Sequence, residues 1–307
     1  MALTPDPAFG TALAGPGRRD LFVGNWLAIF SMVIWAAGFP AAELLLDTWH
    51  PLTLTLARLA MSMAFLIPLW WMIEGPNAVL RANWGRGLWI GGLGFGLGMY
   101  LFLVAQWLTD PVTVALIASA APITAAILEF TDRTRRPTWA FAIGLFASVL
   151  GGIIATTGMA MGDLGLGAGL AVLSAFLFSW ASLAAVRDFP DLTTLGRTTI
   201  TFAGGLVTVA ILFLLSNLAG FAVMPRAAVD AQQIGLLAIY AIAGMALSQL
   251  LFIASVGRIG IALASLHINV APFYVMMILL VLGEAWSLPK AIGAAVVGLG
   301  VIIAQRR

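Results

Sequence analysis

Apolar stretches of about 20 residues follow one another along this chain with only short polar interruptions, and each is long enough to cross a hydrocarbon core of roughly 30 Å as a helix. Ten can be marked, at 25–46, 51–73, 87–107, 111–130, 138–158, 164–185, 192–215, 233–255, 259–282 and 289–305. Within each, the apolar residues run continuously rather than alternating at period two. A β-barrel is thereby excluded, and each segment must satisfy its own backbone as a helix. The pattern predicts an all-α, polytopic membrane protein of ten transmembrane helices.

Composition agrees. Of 307 residues, 62% are hydrophobic and 9% charged, where a soluble domain carries roughly a quarter charged. There is no cysteine, so disulfides and thiolate metal sites are excluded. With the N-terminus inside, eleven of the fifteen basic residues fall on the cytoplasmic side: Arg18, Arg19, Arg81, Arg86, Arg133, Arg135, Arg136, Arg187, Arg258, Arg306 and Arg307. Arg226 and Lys290 fall outside, and Arg58 and Arg197 lie within spans. This positive-inside asymmetry predicts both termini in the cytoplasm and a tail over 1–24. Arg18-Arg19 has the outline of a twin-arginine export signal, but the next segment is a full span with nine more behind it, which favours a basic flank to helix 1.

The two halves resemble each other. "IGLFASVLGGIIA" (143–155) matches "IGAAVVGLGVIIA" (292–304) at seven of thirteen positions without a gap. "ALIASAAP" (115–122) matches the region of "ALASLHINVAP" (262–272), setting Pro122 opposite Pro272; "LTLTLAR" (52–58) resembles "LTTLGR" (192–197), setting Arg58 opposite Arg197. With five helices in each unit, 25–158 and 164–305, the second copy enters the membrane from the opposite face. Inverted repeats of this kind belong to secondary transporters, whose substrate site lies near the midplane between the copies.

These stretches, with "APF" in helix 9 and the closing "LGEAWSLPKAIGAAVVGLGVIIA", resemble the drug/metabolite transporter superfamily, specifically its EamA-type permeases. The first copy departs from the family pattern: "EFTDRTRRPTW" replaces the Gly-Glu, with Asp132 nearest in position to Glu284. The resemblance implies an exporter of small metabolites in the cytoplasmic membrane of a bacterium, akin to the family's amino-acid and aromatic-amino-acid exporters.

Polar groups inside spans are costly and face a cavity or the bundle interior. His267, the only histidine in a span, leads the candidates, with Asn269, Phe273 and Tyr274 on the same polar segment and Pro272 freeing the carbonyl of Ile268. Tyr100, Ser248, Gln249, Ser119, Trp35 and Trp180 are further candidates for the substrate wall, and Gln106 and Thr124 are others. Pro122, Pro272, Pro40, Arg58 and Arg197 read as hinge or gating positions, the arginines snorkelling or capping near an interface rather than touching substrate. A largely neutral, aromatic-edged cavity suits a neutral or aromatic amino acid. With no acid at the midplane, facilitated diffusion is preferred to proton antiport. No cofactor, metal, nucleic acid or obligatory protein partner is expected; the partners are substrate and lipid. An intramembrane enzyme is the rival from another class, but H-E-x-x-H and G-x-S-x-G are absent. "GGLGFGLG" (91–98) lacks a P-loop lysine and reads as close helix packing. A channel would need a charge ring or a filter segment, and neither is found.

Overall fold

A computed structural model describes residues 17–108, 121–131, 138–155, 166–281 and 288–304. All secondary structure among them is helical. In chain order the elements are α1 (Arg18–Ala36), α2 (Gly38–Leu46), α3 (Pro51–Leu80), α4 (Trp84–Gly91), α5 (Gly98–Leu108), α6 (Ala121–Thr131) and α7 (Trp139–Ala155). They continue with α8 (Leu166–Arg187), α9 (Thr194–Leu218), α10 (Ala231–Ala238), α11 (Ser248–Ile259), α12 (Ile261–Ser265), α13 (Ala271–Val281) and α14 (Leu288–Ala304). Two π-helical segments, Gly92–Leu97 and Ile239–Leu247, join α4 to α5 and α10 to α11. Six helical stretches are long and apolar enough to cross a membrane, and Pro122–Thr131, Trp139–Gly151, Ile261–Val275 and Ala291–Ala304 are shorter apolar helices. The protein is an integral membrane protein.

The first helix starts at Arg18 rather than at 25, with the basic pair and Asp20 forming its first turn. It breaks at Ala37 because Pro40 has no amide proton for the carbonyl of Ala36. Helices in lipid gain little from burying one apolar face on another, so close packing of small residues and hydroxyl–carbonyl bonds hold the bundle together. Ser255 Oγ donates to the Gly24 carbonyl (2.9 Å) and Ser31 Oγ to the Ser248 carbonyl (2.7 Å). Residue numbers rise along α1 as they fall along α11, so these two helices run antiparallel. Gly144 at the start of α7 likewise lies against Gly300 and Ala304 at the end of α14. The two segments matched in sequence therefore pack on each other in opposite directions.

The ends of the bundle are tied differently. At one end Arg86 of α4 pairs with Asp188 just past α8, Arg187 also reaches Asp188 (2.7 Å), Thr193 bonds Glu74, and Arg258 reaches Asp20 (3.3 Å). Burial, which would raise the Asp188 carboxyl, is outweighed by Arg187 and Arg86, which hold it below the usual carboxylate range. Below these pairs α4 and the first π segment press on α9: Gly91 sits against the backbone of Thr201 and Gly96 against Gly205, leaving no room for a Cβ. At the other end Trp49 Nε1 donates to Gln233 Oε1 (3.1 Å) and Arg226 N to the Thr48 carbonyl (2.7 Å). There His50 caps α3, its Nδ1 accepting from Leu52 N (3.2 Å). Burial, aided by the charge of Arg226, lowers the His50 pKa, keeping the ring neutral as that acceptor role requires.

Two outcomes follow for purified protein. Gly91→Leu should lower the melting temperature markedly, overpacking costing about 1–3 kcal/mol, whereas Gly169→Leu, with open space at its Cβ position, should leave it unchanged. Because the folded His50 pKa lies below the unfolded value, its cap is fully present above about pH 6.5 and is lost as pH falls toward the folded pKa. Thermal melts across pH 5–8 should show this slope, and His50→Asn, which keeps a capping side chain, should flatten it.

Candidate functional site

A cavity of about 120 Å³ lies in the half of the bundle toward Trp49 and His50. Its walls come from the later part of α1, α2, the second turn of α3, α5, the first half of α8, the second π segment, α11 and Ile268.

The polar wall begins with a backbone irregularity. A π-helical turn is wide and displaces carbonyls from the regular ladder, a feature frequent at functional sites. Side chains of α3 dock on this stretch at i, i+4 spacing. Arg58 Nε donates to the Tyr240 carbonyl (3.2 Å), its Nη2 to the Gly244 carbonyl (3.0 Å), and Ser62 Oγ to the Ala241 carbonyl (2.8 Å). The guanidinium also lies 3.7 Å from the centroid of the Tyr240 ring, a cation–π contact that fixes its plane. Arg58, Tyr240 and Gly244 all line the cavity.

Two serines define the flanks. Ser31 of α1 bonds the carbonyl of Ser248, the first residue after the second π segment, and Ser174 of α8 bonds the carbonyl of Gly98 (2.7 Å), the first residue after the first. Four residues beyond each serine an aromatic faces the cavity, Trp35 after Ser31 and Phe178 after Ser174. Trp35 packs edge-on to Phe39 with centroids 4.7 Å apart. Phe178 and Phe252 form part of the wall, and the chain of rings continues behind them, Phe252–Phe178 at 5.5 Å, Phe178–Phe95 at 5.8 Å and Phe95–Phe202 at 5.4 Å. These rings separate the cavity from the glycine-packed contact of α4 with α9. Met32, Met99 and Met245 complete much of the apolar wall. Gln106 and Gln249 add buried amides, and Gln249 Nε2 has no hydrogen-bond partner among the described residues.

Of the residues singled out in the sequence, Trp35, Gln106, Ser248, Gln249 and Arg58 come together at this cavity. The segment with His267 does not supply its polar wall. Leu266–Val270 is a tight 3-10 stretch between α12 and α13, and only Ile268 reaches the cavity. His267 is buried against its own helix, Nδ1 lying 3.3 Å from the Leu263 carbonyl, and Asn269 is buried with neither side-chain polar atom partnered among the described residues. Tyr100 and Trp180 pack into the cluster around Phe95 and Phe202. Phe273 and Tyr274 pair with each other at 6.0 Å, and Tyr274 borders a shallow apolar groove with Val33 and Met277. Arg197 binds the carbonyls of Phe189 (2.8 Å) and Pro190 (3.0 Å) at the opposite end of the bundle. Pro40 sits at the α1–α2 break, and Pro122 and Pro272 are the second residues of α6 and α13. Ser119 lies outside the described residues.

Tyr240, Phe178, Phe252 and Ser174 were not anticipated. The signal for Ser174 and Phe178 was the spacing shared by "SMVIW" (31–35) and "SAFLF" (174–178), which aligns Trp35 with Phe178 rather than with Trp180. Glu129 was also missed as a structural group. It is buried, and its Oε1 accepts from Ala262 N (3.1 Å), meeting the orphan amides at the start of α12. Gly260, at φ +80°, forms that turn, and any Cβ there would collide with the carboxylate. No cluster of three or more His, Cys, Asp or Glu side chains suited to a metal exists among the described residues.

Residues 22–157 match the EamA-like transporter family. A solved crystal structure shares the fold with a TM-score of 0.74 at 20% sequence identity, covering 92% of this chain and 96% of that one. No curated protein matches the sequence.

An unpartnered buried amide nitrogen costs about 1–3 kcal/mol, so Gln249→Met should leave the melting temperature unchanged or higher. The same variant should bind or move cavity ligands several-fold less well. A melting temperature lowered by several degrees would mean that Nε2 is satisfied within the fold.

Proposed function

We propose, from the match of residues 22–157 to the EamA-like transporter family, that the chain is a secondary transporter exporting neutral or aromatic amino acids across a bacterial inner membrane. The transport unit is two five-helix repeats, 25–158 and 164–305, of opposite topology, with both termini and the 1–24 tail cytoplasmic. The central observation in favour is the cavity lined by residues of both halves, bounded on one side by aromatic rings and ion-paired helix ends.

The paired geometry supports the repeat. Ser31 on Ser248 and Ser174 on Gly98 are the same contact made twice, each just past a π-helical segment. The antiparallel packing of α7 on α14 is what inverted copies require. Under the positive-inside orientation the closed end, with Arg86, Arg187 and Arg258, is cytoplasmic, and the cavity lies in the outward half. Transport is then a rocking of the halves that separates α4 from α9 at the cytoplasmic end and closes the walls around Trp35 and Phe178 at the other. Opening that end breaks Arg86–Asp188, a partly exposed pair of the kind worth about 0–1 kcal/mol. Such a latch biases the equilibrium without locking it.

Among the described residues no carboxylate lines the cavity, and His267 does not reach it. Both points favour facilitated diffusion down the substrate gradient over proton antiport. Trp35, Phe39 and Phe178 offer faces for an apolar or aromatic side chain.

Proteoliposomes preloaded with labelled amino acids test the assignment. Efflux of aromatic and neutral amino acids should not require a pH gradient and should fall at least tenfold in Trp35→Ala. Efflux that tracks an imposed pH gradient would replace uniport by antiport, and absence of flux for the whole panel would overturn the substrate class. Since the chain has no cysteine, Ser174→Cys supplies a unique probe. An impermeant thiol reagent added outside should label it, and adding Asp188→Ala should reduce that labelling by weakening the cytoplasmic closure.

A further inference from the structure

We propose that Arg58 is the substrate's carboxylate-binding group, and that the cavity therefore selects apolar and aromatic carboxylates and rejects organic cations. The inference rests on the transporter reading above and sharpens its substrate class.

Arg58 lies in a membrane-spanning helix and lines the cavity. A guanidinium carries five N–H donors and cannot shed its charge. Here Nε and Nη2 are held by the carbonyls of Tyr240 and Gly244 and the Tyr240 side chain lies against the guanidinium, while Nη1 makes no hydrogen bond of ordinary length among the described residues. No carboxylate forms an ion pair with it there either; the ion pairs of Arg86, Arg187 and Arg258 are all at the other end of the bundle. Dipoles and the Tyr240 ring orient the charge without neutralising it. A fixed cation in a low-dielectric, aromatic-lined space is costly unless an anion joins it.

The second observation is Gln249. It lines the same cavity, is 6% exposed, and keeps Nε2 without a partner. An Arg edge with free donors and a nearby unpaired amide donor form a donor set suited to carboxylate oxygens. Among the described residues no acid in the wall offers a counter-charge to an ammonium group. Recognition accordingly falls on the carboxylate, and an amino group is tolerated rather than selected. Arg197, the sequence counterpart of Arg58, spends its donors on the loop carbonyls of Phe189 and Pro190, so among the described residues Arg58 is the charged group that lines the cavity.

Purified full-length protein in nanodiscs, read by intrinsic tryptophan fluorescence and by thermal shift, tests this with four probes: L-phenylalanine, 3-phenylpropanoate, phenethylamine and phenylalanine amide. The first two should bind, and the two lacking a carboxylate should bind at least tenfold more weakly. Arg58→Gln should weaken the carboxylates at least tenfold and abolish the discrimination, while Arg58→Lys, which keeps the charge, should recover part of it. Should either variant unfold because the bonds to Tyr240 and Gly244 are lost, the wild-type series decides alone. Equal binding of acids and amines, or acid binding unchanged in folded Arg58→Gln, overturns the proposal; if amino-acid flux persists in that case, the transporter reading stands. Failure of all four probes to bind, together with absence of flux for the amino-acid panel, overturns both.

Discussion

A bilayer supplies no water to a stray backbone carbonyl, and much of this molecule is arranged around that constraint. The π-helical segments widen two helices at mid-length and present carbonyls sideways. Side chains from neighbouring helices meet them: Arg58 and Ser62 at Tyr240, Gly244 and Ala241, Ser31 at Ser248, and Ser174 at Gly98. These bonds tie α3, α1 and α8 to the two interrupted helices. They also explain why a cavity exists there, since helices joined through polar side chains stand further apart than helices joined glycine to backbone.

The contrast between the two interrupted helices follows. At the first π segment the partner is α9, and Gly91 and Gly96 let it approach to backbone contact with Thr201 and Gly205, with the Thr208 hydroxyl against Gly92. At the second, α3 interposes Arg58 and Ser62, while Gly38 of α2 meets Gly244 directly. The α4–α9 contact is zipped and the α3 contact is spaced by polar groups, and the cavity lies beside the spaced one. The rings from Phe202 through Phe95 and Phe178 to Phe252 stand between them.

The helical class and the membrane setting were legible in the sequence because each span is apolar over its full length, a signal that does not depend on tertiary packing. Ser248, Gln249 and Trp35, which line the cavity, stood out because polar or aromatic groups within a span are conspicuous. The same logic pointed to His267, which the structure places outside the cavity wall. A histidine inside a span is equally conspicuous when it is buried against its own helix, and one-dimensional spacing does not reveal that Leu266–Val270 tightens into a 3-10 turn whose polar side chains point away from the cavity wall. Arg58 was recognised, but its role was read from depth alone. Its contact with the cavity depends on the π-helical carbonyls of another helix, and local sequence carries no clear sign of those. The role of Glu129 was hidden for the same reason, since its bond to Ala262 spans more than a hundred residues.

The methionines of the wall carry a consequence of their own. Met32, Met99 and Met245 are unbranched, polarizable and rich in accessible rotamers, so a surface built from them re-forms around differently shaped guests at small cost. The rings and the hydrogen-bonded arginine beside them are comparatively rigid. A wall divided in this way is strict about where charge sits and lenient about the outline of the remainder, which makes breadth of cargo a property of the scaffold itself and leaves chemical fidelity to a few fixed atoms.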